Sequence, residues 1–421
     1  MRFFLIVTPG LESLAKDELK SCCPEINDEF IKVVNGGIEL EAELGVGLAL
    51  NKRLRIPTRI LLRVTDFGCR DFPKLFKKLS TLNWNDWVPD LKNVDFQVSS
   101  HGSRLKIKNR IEETCLSARI AYLKKKGLPH SRVITGPDAE FALFIRLIDD
   151  VCFVSLDTSG ERLHKRGVRE QVSDAPLRET FATALLKSME SVYLKDVALS
   201  SKGISPIELV DPMMGGATFL LEASAAGTDI QTRQYSFERN TALLAQFSRS
   251  NVETEIQIED KNAIQIEDKN AIQIEDKNAI QFASLIGYEM NVKTLDAARK
   301  NLLQEQSARR ARHLPTAEVQ TFAEDFFKAQ PLPPPLANRH RWLVCNPPYG
   351  ERIKVEGQLS DFYERMMHQM EKVAAPDYVA LLIPQKVNSR LLNLPARWRF
   401  RQALKFSNGG IPVQALVYSR K

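Results

Sequence analysis

Residues 346–349, Asn-Pro-Pro-Tyr, bring together an amide, a stiff backbone and an aromatic ring directly after an apolar run. Proline fixes φ and lacks an N–H donor, so a central strand must end there. An exocyclic amine on a nucleobase is a weak nucleophile, because its lone pair is delocalised into the ring. The Asn346 side-chain oxygen and the Pro347 carbonyl can accept both N–H hydrogens of such an amine, and Tyr349 offers a stacking face. These residues therefore indicate chemistry on the amine of an unpaired or flipped-out base.

A second stretch has the pattern of a nucleotide crevice. An apolar strand ends at Asp211, Gly215 and Gly216 follow, and an apolar helix begins at Thr218. Strand, glycine turn and helix form such a crevice at the carboxyl ends of strands in α/β domains. The chain contains no GxxxxGK[ST] motif, so a triphosphate is not the expected ligand.

Two further acidic residues follow later apolar segments. Glu289 ends "LIGYE" and can accept hydrogen bonds from both hydroxyls of a ribose, and Asp325 in "VQTFAEDFF" can accept from an exocyclic adenine amine. Taken singly, Asp211 also fits a helix cap, the two later acids fit solvated residues at strand ends, and residues 346–349 fit a plain proline turn. Their order along the chain favours a single site.

The elements that must position these residues change in character after Gly160. Before it, strands and helices alternate in the manner of α+β layers, and after it strand, glycine turn and helix recur as in a doubly wound α/β domain. Residues 161–175 are polar and basic and are predicted to be a linker. The chain closes with a predicted hairpin whose turn is Asn408-Gly409-Gly410.

One segment repeats. "IQIEDKNA" occurs three times in succession over residues 256–279. Its period of eight matches neither a heptad nor a known solenoid unit. We interpret it as a tandem expansion in a surface loop, with a partner-binding or oligomerising β element as the alternative.

The composition bounds the class of protein. Lys and Arg exceed Asp and Glu by 59 to 52, which gives a formal net charge of +7 and suits a polyanionic partner. The six cysteines show neither a CxxC pair nor Cys/His ligand spacing, so reduced thiols of a cytoplasmic protein and no metal site are expected. No signal peptide and no membrane-spanning segment is expected.

Three basic clusters are candidate contacts for an RNA backbone, although any one of them also fits a solvated basic face. They are residues 104–110, 124–132 and 164–169.

Taken together, "DPMMGGATFLLEA", "GYEMN", "EDFF" and "VCNPPYGERI" resemble the amino-methyltransferases that use S-adenosylmethionine and carry an Asn-Pro-Pro-Tyr motif. The segments "VTPGLESLAKDELK", "NGGIELEAEL" and "LHKRGVREQVSDAPLRETFATALL" narrow the resemblance to the THUMP-domain RNA guanine-N2 methyltransferases, which act on bacterial 23S ribosomal RNA or on transfer RNA. The resemblance covers nearly the whole chain except the repeat.

The resemblance implies an α/β fold, in which a Rossmann-like methyltransferase domain follows an α+β region that binds RNA. The implied divisions are a ferredoxin-like region at 1–55, a THUMP domain at 56–160, the linker at 161–175, and the methyltransferase domain at 176–421 with the repeat inserted at 252–283. It also implies that Asn346, Pro347 and Tyr349 engage the target guanine. The residues implied to hold S-adenosylmethionine are Asp211, Met213, Gly215, Gly216, Thr218, Glu289, Asp325 and Asn346.

The chain departs from the family's usual D-P-[MF]-C-G-S-G-T loop. Met214, Gly216 and Ala217 replace its cysteine, serine and last glycine, and Ala217 adds a methyl where backbone usually passes close to the cofactor. An adenine-specific DNA methyltransferase and a protein-glutamine methyltransferase share the four-residue motif and are competing interpretations. A third is a non-catalytic protein that binds RNA or assists ribosome assembly and has a decayed cofactor loop.

Overall fold

The structure, a computed structural model, describes most of the chain. The described ranges are 1–89, 92–129, 135–136, 138–167, 177–200, 203–230, 232–250, 280–350, 358–387 and 396–421. The repeat at 256–279 lies outside them, as do residues 168–175 of the predicted linker and residue 176.

The described residues form fourteen strands and nine α-helices. The strands are β1 (Arg2–Ile6), β2 (Ile31–Val34), β3 (Gly37–Glu41), β4 (Arg59–Gly68), β5 (Val94–His101), β6 (Phe141–Ile148), β7 (Val151–Asp157), β8 (Ile207–Asp211), β9 (Phe282–Tyr288), β10 (Glu318–Phe322), β11 (His340–Cys345), β12 (Tyr378–Pro384), β13 (Trp398–Asn408) and β14 (Ile411–Arg420). The helices are α1 (Glu12–Cys22), α2 (Leu44–Arg53), α3 (Phe72–Ser80), α4 (Lys108–Lys125), α5 (Glu179–Ser200), α6 (Thr218–Ser224), α7 (Thr241–Ser250), α8 (Val292–Ala311) and α9 (Leu359–Val373).

The chain divides into two compact units. Among the described residues, the first unit comprises 1–7, 19–163 and 233–250, and the second comprises 8–18, 164–232 and 280–421. Residues 233–250 group by their contacts with the first unit, and the predicted extent of the methyltransferase domain, 176–421, stays a prediction. There the Asn240 amide donates to the Trp87 carbonyl over 2.8 Å. The predicted boundary between residues 55 and 56 stays a prediction.

The first unit is built on a seven-stranded sheet of order β2-β3-β1-β4-β7-β6-β5, in which only β5 and β6, among its described pairs, run parallel. Strand β6 alternates buried and half-buried residues, the pattern of a sheet with one face in the core. Helix α4 buries Ile111, Cys115 and Ala118 along one stripe. The predicted α+β character of this region is therefore confirmed.

Helix α3 of the first unit is short. It ends at Ser80, and a short 3-10 turn follows at Trp84–Asp86. The Thr81 hydroxyl donates to the carbonyls of Lys77 and Lys78, at 3.1 and 3.0 Å, and takes up acceptors that the helix leaves open at its end. Trp84 turns into the core and is 1% exposed.

The second unit is built on a sheet of order β10-β9-β8-β11-β12-β14-β13. The first five strands run parallel, and β14 enters antiparallel between β12 and β13. Helix α9 covers one face through Tyr363, Met366 and Met370, and on α5 the Tyr193 ring meets Trp342 edge-on at 5.6 Å. The predicted doubly wound α/β fold and its final hairpin are confirmed. Among the described helices, none is long and apolar enough to cross a membrane.

Candidate active site

Four polar residues lie where parallel strands of the second unit end. Asp211 ends β8, Glu289 directly follows β9, Asn346 directly follows β11, and Asp325 lies three residues beyond β10. In the register, Asp211 pairs with Gly287 of β9, and Val210 pairs with Leu343 of β11. Because parallel strands end at a common edge, the sheet brings the four side chains to its carboxyl edge, where α/β domains bind ligands.

The loop after β8 is held by two of its backbone N–H groups, which donate to the last residue of β9 and to the residue that follows it. The Met214 N–H donates to the Tyr288 carbonyl over 3.0 Å, and the Gly215 N–H donates to Glu289 Oε2 over 3.1 Å. Gly215 has φ +51, and a Cβ built on it would meet open space. The loop therefore presents bare backbone to the space above it, as close approach of a ligand requires.

Ala217 ends this loop in a left-handed conformation, with φ 60 and ψ 33, and is fully buried. That conformation costs an L-residue about 1–2 kcal/mol, whereas glycine adopts it freely. Its N–H donates to the Met214 carbonyl over 2.8 Å, and helix α6 begins at the next residue. The buried methyl does not reach the open surface of the loop.

Glu289 joins the loop to the helix that follows β9. Its Oε2 accepts from the Gly215 N–H, and its Oε1 accepts from the Asn291 N–H over 2.8 Å. The side chain remains partly exposed. An ionised carboxylate has about four acceptor sites, so two backbone bonds fix its position and leave acceptor capacity for a diol.

Asp211 is almost completely buried at 1% exposure. Burial raises the pKa of its carboxyl to about 8, the Met213 N–H at 3.1 Å opposes that rise, and the nearby Glu289 charge adds to it. Burial likewise raises the pKa of the Cys345 thiol well above its ordinary value. The floor of the site thus carries an acid that a nearby cation would help to ionise.

The remaining predicted cofactor residues are more varied in position. Asp325 is half-buried and accepts from the Phe327 N–H over 3.0 Å as the N-cap of a short 3-10 turn, a role that the sequence left open for Asp211 and not for Asp325. Met213 is half-buried and packs against the core beneath the sheet. Gly216 is half-buried in the loop, and the buried Thr218 hydroxyl donates to the Leu177 carbonyl over 3.5 Å. The Thr218 hydroxyl thus bonds to backbone that precedes α5.

The Asn-Pro-Pro-Tyr motif is tied to itself and to the helix below it. The Tyr349 hydroxyl donates to Asn346 Oδ1 over 2.7 Å. The fully buried Tyr363 of α9 donates its hydroxyl to the Pro348 carbonyl over 3.0 Å. Pro347 is buried, while Asn346 and Tyr349 remain half-buried. The motif is held rigidly while its amide and ring keep partial access to solvent.

Tyr349 also contacts a residue that the sequence did not indicate. Asn408, the last residue of β13, directs its amide to the Tyr349 hydroxyl over 3.5 Å. Burial raises the pKa of Tyr349 to about 12, and the hydrogen bond from Asn408 works against that rise. The phenol therefore stays protonated and acts as a donor at neutral pH. From the sequence, Asn408 was predicted only to be the first residue of the hairpin turn.

The basic clusters differ in accessibility. In residues 104–110 of the first unit, Arg104 lies 3.7 Å from Asp150, and Arg110 lies 4.2 Å above the Phe72 ring. Within 124–132, Lys124 and its two lysine neighbours are exposed, whereas 130–132 lie outside the described ranges.

In the cluster 164–169, the expectation of a phosphate contact is wrong for Arg166. This residue is 4% exposed and forms a buried ion pair with Glu222 of α6 at 3.4 Å. Residues 168 and 169 lie outside the described ranges. The side chain of Arg166 is therefore part of the interior of the second unit.

Sequence reasoning missed a second basic face on α3. Lys74, Lys77 and Lys78 are exposed along this helix, and Arg70 precedes it. Arg70 lies 3.3 Å from Asp150, the same carboxylate that Arg104 approaches. The helical spacing of the three lysines was the available signal.

Comparison with known proteins places the chain among methyltransferases. A family model described as an RMKL-like methyltransferase domain matches residues 166–410, and one described as an RlmL ferredoxin-like domain matches residues 2–61. The ribosomal RNA large subunit methyltransferase K/L of Aliivibrio fischeri (strain MJ11) is 25% identical over 99% of this chain and 53% of its own length. This chain therefore spans about half the length of the K/L relatives.

Two other matches extend over nearly their full length. The Synechocystis sp. protein slr0064 carries the provisional name of an RNA methyltransferase. It is 24% identical to this chain, over 99% of this chain and 96% of its own length. The crystal structure of SMU.472 complexed with SAH covers 100% of this chain with a TM-score of 0.69 at 20% identity, over 98% of that chain, which supports the fold. The first family model spans more than half of the 421 residues. The chain belongs to the RMKL-like methyltransferase domain family.

Proposed function

We propose that this protein is an RNA methyltransferase that uses S-adenosylmethionine and methylates the exocyclic N2 amine of a guanine in 23S ribosomal RNA or in transfer RNA. The observation that carries the proposal is the common sheet edge at which Asp211, Glu289 and Asn346 meet. Acidic side chains that can bind a cofactor with a sulfonium charge lie beside an amide that can accept hydrogen bonds from the amine of a base.

The cofactor half of the site fits a cationic nucleoside. S-adenosylmethionine, when bound, supplies an electrophilic methyl group on a positively charged sulfur. The partly exposed Glu289 offers acceptors to a ribose, the bare backbone at Gly215 allows close approach, and Asp325 retains acceptor capacity beside its capping bond. Asp211 beneath them is an acid that a positive charge would help to ionise.

The base half of the site fits an amine that must be both held and desolvated. Asn346 Oδ1 and the Pro347 carbonyl accept the two N–H hydrogens, which orients the nitrogen lone pair. The Tyr349 ring supplies the stacking face. As the nitrogen bonds to the methyl carbon, the methyl–sulfur bond would break and leave its electron pair on sulfur. The nitrogen would then be cationic and would lose one proton to water, so no strong general base is required.

The RNA partner is supported by the first unit. Its exposed lysines on α3 and α4, together with Arg104 and Arg110, form basic surfaces suited to phosphate. The K/L relatives are named for ribosomal RNA of the large subunit. Six cysteines, all of them free thiols, fit a cytoplasmic location.

The proposal is tested by methyl transfer from labelled S-adenosylmethionine to unmodified ribosomal RNA, transfer RNA and DNA. Label on either RNA that disappears in Asn346→Ala supports it, and the RNA that is labelled identifies the substrate class. Label on DNA alone would replace it with a DNA adenine methyltransferase. Calorimetry that detects no cofactor binding would leave a non-catalytic RNA-binding or ribosome-assembly protein.

A further inference from the structure

The turn between β13 and β14 reaches the Asn-Pro-Pro-Tyr motif. Asn408 donates from its amide to the Tyr349 hydroxyl over 3.5 Å, and that hydroxyl donates to Asn346 Oδ1 over 2.7 Å. The three side chains form a continuous run of hydrogen bonds, although Asn408 lies 59 residues after Tyr349.

The run has a fixed direction, because a phenol carries one hydrogen. When the Tyr349 oxygen accepts from the Asn408 amide, its own hydrogen is left for Asn346. The Asn346 amide must then turn its oxygen towards Tyr349. An amide oxygen has two lone pairs, so one remains for the N–H of an incoming amine.

The tip of the hairpin is held firmly enough to serve this purpose. Phe406, two residues before Asn408, is 4% exposed and packs against Phe181 of α5, with ring centroids 4.8 Å apart and ring planes tilted by 31°. Gly10 lies so close to this strand that a Cβ built on it would come within 2.0 Å of the Lys405 carbonyl oxygen. These two contacts limit movement of the strand that carries Asn408.

We propose that Asn408 is a positioning residue for the base-binding motif. Its amide directs the Tyr349 hydroxyl and thereby sets the rotamer in which Asn346 presents its oxygen. The inference rests on the proposed function for its catalytic consequence, while the contact itself is testable without activity.

The kinetic test compares Asn408→Ala and Asn408→Asp with Ser407→Ala, an exposed neighbour on the same strand. Asn408→Ala should lower kcat by about fivefold, the scale of one net hydrogen bond, with cofactor affinity unchanged. Asn408→Asp should lower it further, because a carboxylate accepts the Tyr349 hydrogen and turns it away from Asn346. Ser407→Ala should match the wild type.

A double-mutant cycle separates positioning from general loss of structure. In a Tyr349→Phe background neither Asn408 substitution should lower kcat further, because the hydroxyl through which it acts is gone. If Asn408→Ala keeps its full effect in that background, or weakens cofactor binding equally, the inference is overturned.

A spectroscopic test needs no activity. Carbon-13 at tyrosine Cζ reports hydrogen bonding of the phenol, and the Tyr349 resonance is identified by its loss in Tyr349→Phe. It should move in Asn408→Ala and stay in Ser407→Ala. An unmoved resonance overturns the inference whether or not the wild type is active. A moved resonance with no methyl transfer to any RNA by the wild type supports the contact and overturns the proposed function alone.

Discussion

The Tyr349 hydroxyl donates a hydrogen bond to Asn346 Oδ1 over 2.7 Å, within the Asn-Pro-Pro-Tyr motif. The aromatic residue proposed to stack on the target base also orients the amide proposed to hold its amine. Burial raises the pKa of Tyr349 to about 12, so this donor persists across the pH range in which the protein would work. Ring and hydroxyl thus have separable roles.

Replacing Tyr349 by Phe and by Ala should separate those roles. Tyr349→Phe keeps the stacking ring and loses only the orienting bond, so we expect kcat to fall about tenfold with little change in KM for RNA. Tyr349→Ala also removes the ring and should raise KM, because base stacking contributes about 1–3 kcal/mol. Steady-state kinetics measure both, and equal effects of the two variants would refute a role for stacking.

Asn346→Ala should abolish most turnover while leaving the fold intact and lowering cofactor affinity far less than it lowers turnover. The expected loss in kcat is about 10²–10³-fold, the scale for removing one preorganised polar group at a reacting centre. Circular dichroism and cofactor calorimetry on the same sample provide the controls. Near-normal turnover would contradict the proposed mechanism.

Glu289→Gln should weaken cofactor binding. Replacing the carboxylate by an amide removes one acceptor oxygen and the negative charge. The dissociation constant for S-adenosylmethionine should therefore rise by about ten- to a hundredfold, the scale of hydrogen bonds to charged groups. Glu318→Gln is a matched control, since the Glu318 side chain is 67% exposed at the sheet edge. Equal cofactor affinity in the two variants, measured by calorimetry, would remove Glu289 from the site.

The buried Asp211 should make stability depend on pH. Its pKa is raised from 3.8 to about 8 in the folded protein, because burial penalises the charged form. Folding therefore favours the protonated carboxyl, and this contribution is fully present below about pH 4 and is lost as pH rises through about 8. The melting temperature of the wild type should therefore fall between about pH 4 and pH 8, relative to that of Asp211→Asn.

The Glu289 charge adds to the raised pKa of Asp211. Glu289→Gln should therefore lower the pKa of Asp211, and the pH-dependent loss of stability should be complete at a lower pH. Parallel melting curves of wild type and Asp211→Asn from pH 4 to 9 would contradict the assignment of a buried, neutral acid.

Replacing Lys74, Lys77 and Lys78 by Ala should weaken RNA binding by the intact protein and flatten its dependence on salt. Each lysine that no longer neutralises a phosphate reduces the slope of log K against log salt by about 0.7–0.9. Lys293→Ala with Lys300→Ala, which removes exposed lysines of α8, is the comparison. Filter binding at several salt concentrations measures the slopes, and identical slopes would exclude the α3 face.

The position of several site residues was predictable from the sequence, because apolar runs mark the strands and the parallel order of the strands places their ends together. Asp211, Glu289 and Asn346 each follow an apolar run of strand length, and parallel strands bring their carboxyl ends to one edge. The hydrogen bond between Asn346 and Tyr349 joins residues close in sequence but was not predicted, because side-chain rotamers are set by packing around the motif.

Other features depend on contacts distant in sequence. Asn408 meets Tyr349 only because β14 enters antiparallel and brings the hairpin to the same edge. Arg166 reads as a surface cation in "HKRG", yet Glu222 in the interior pairs with it. The grouping of residues 233–250 with the first unit depends on contacts such as the one from Asn240 to Trp87.

The proposed activity is tested most directly by nucleoside mass spectrometry of unmodified RNA incubated with S-adenosylmethionine and either wild type or Asn346→Ala. We expect N2-methylguanosine with the wild type and almost none with the variant. A methylated nucleoside other than N2-methylguanosine, or equal product from both proteins, would contradict it.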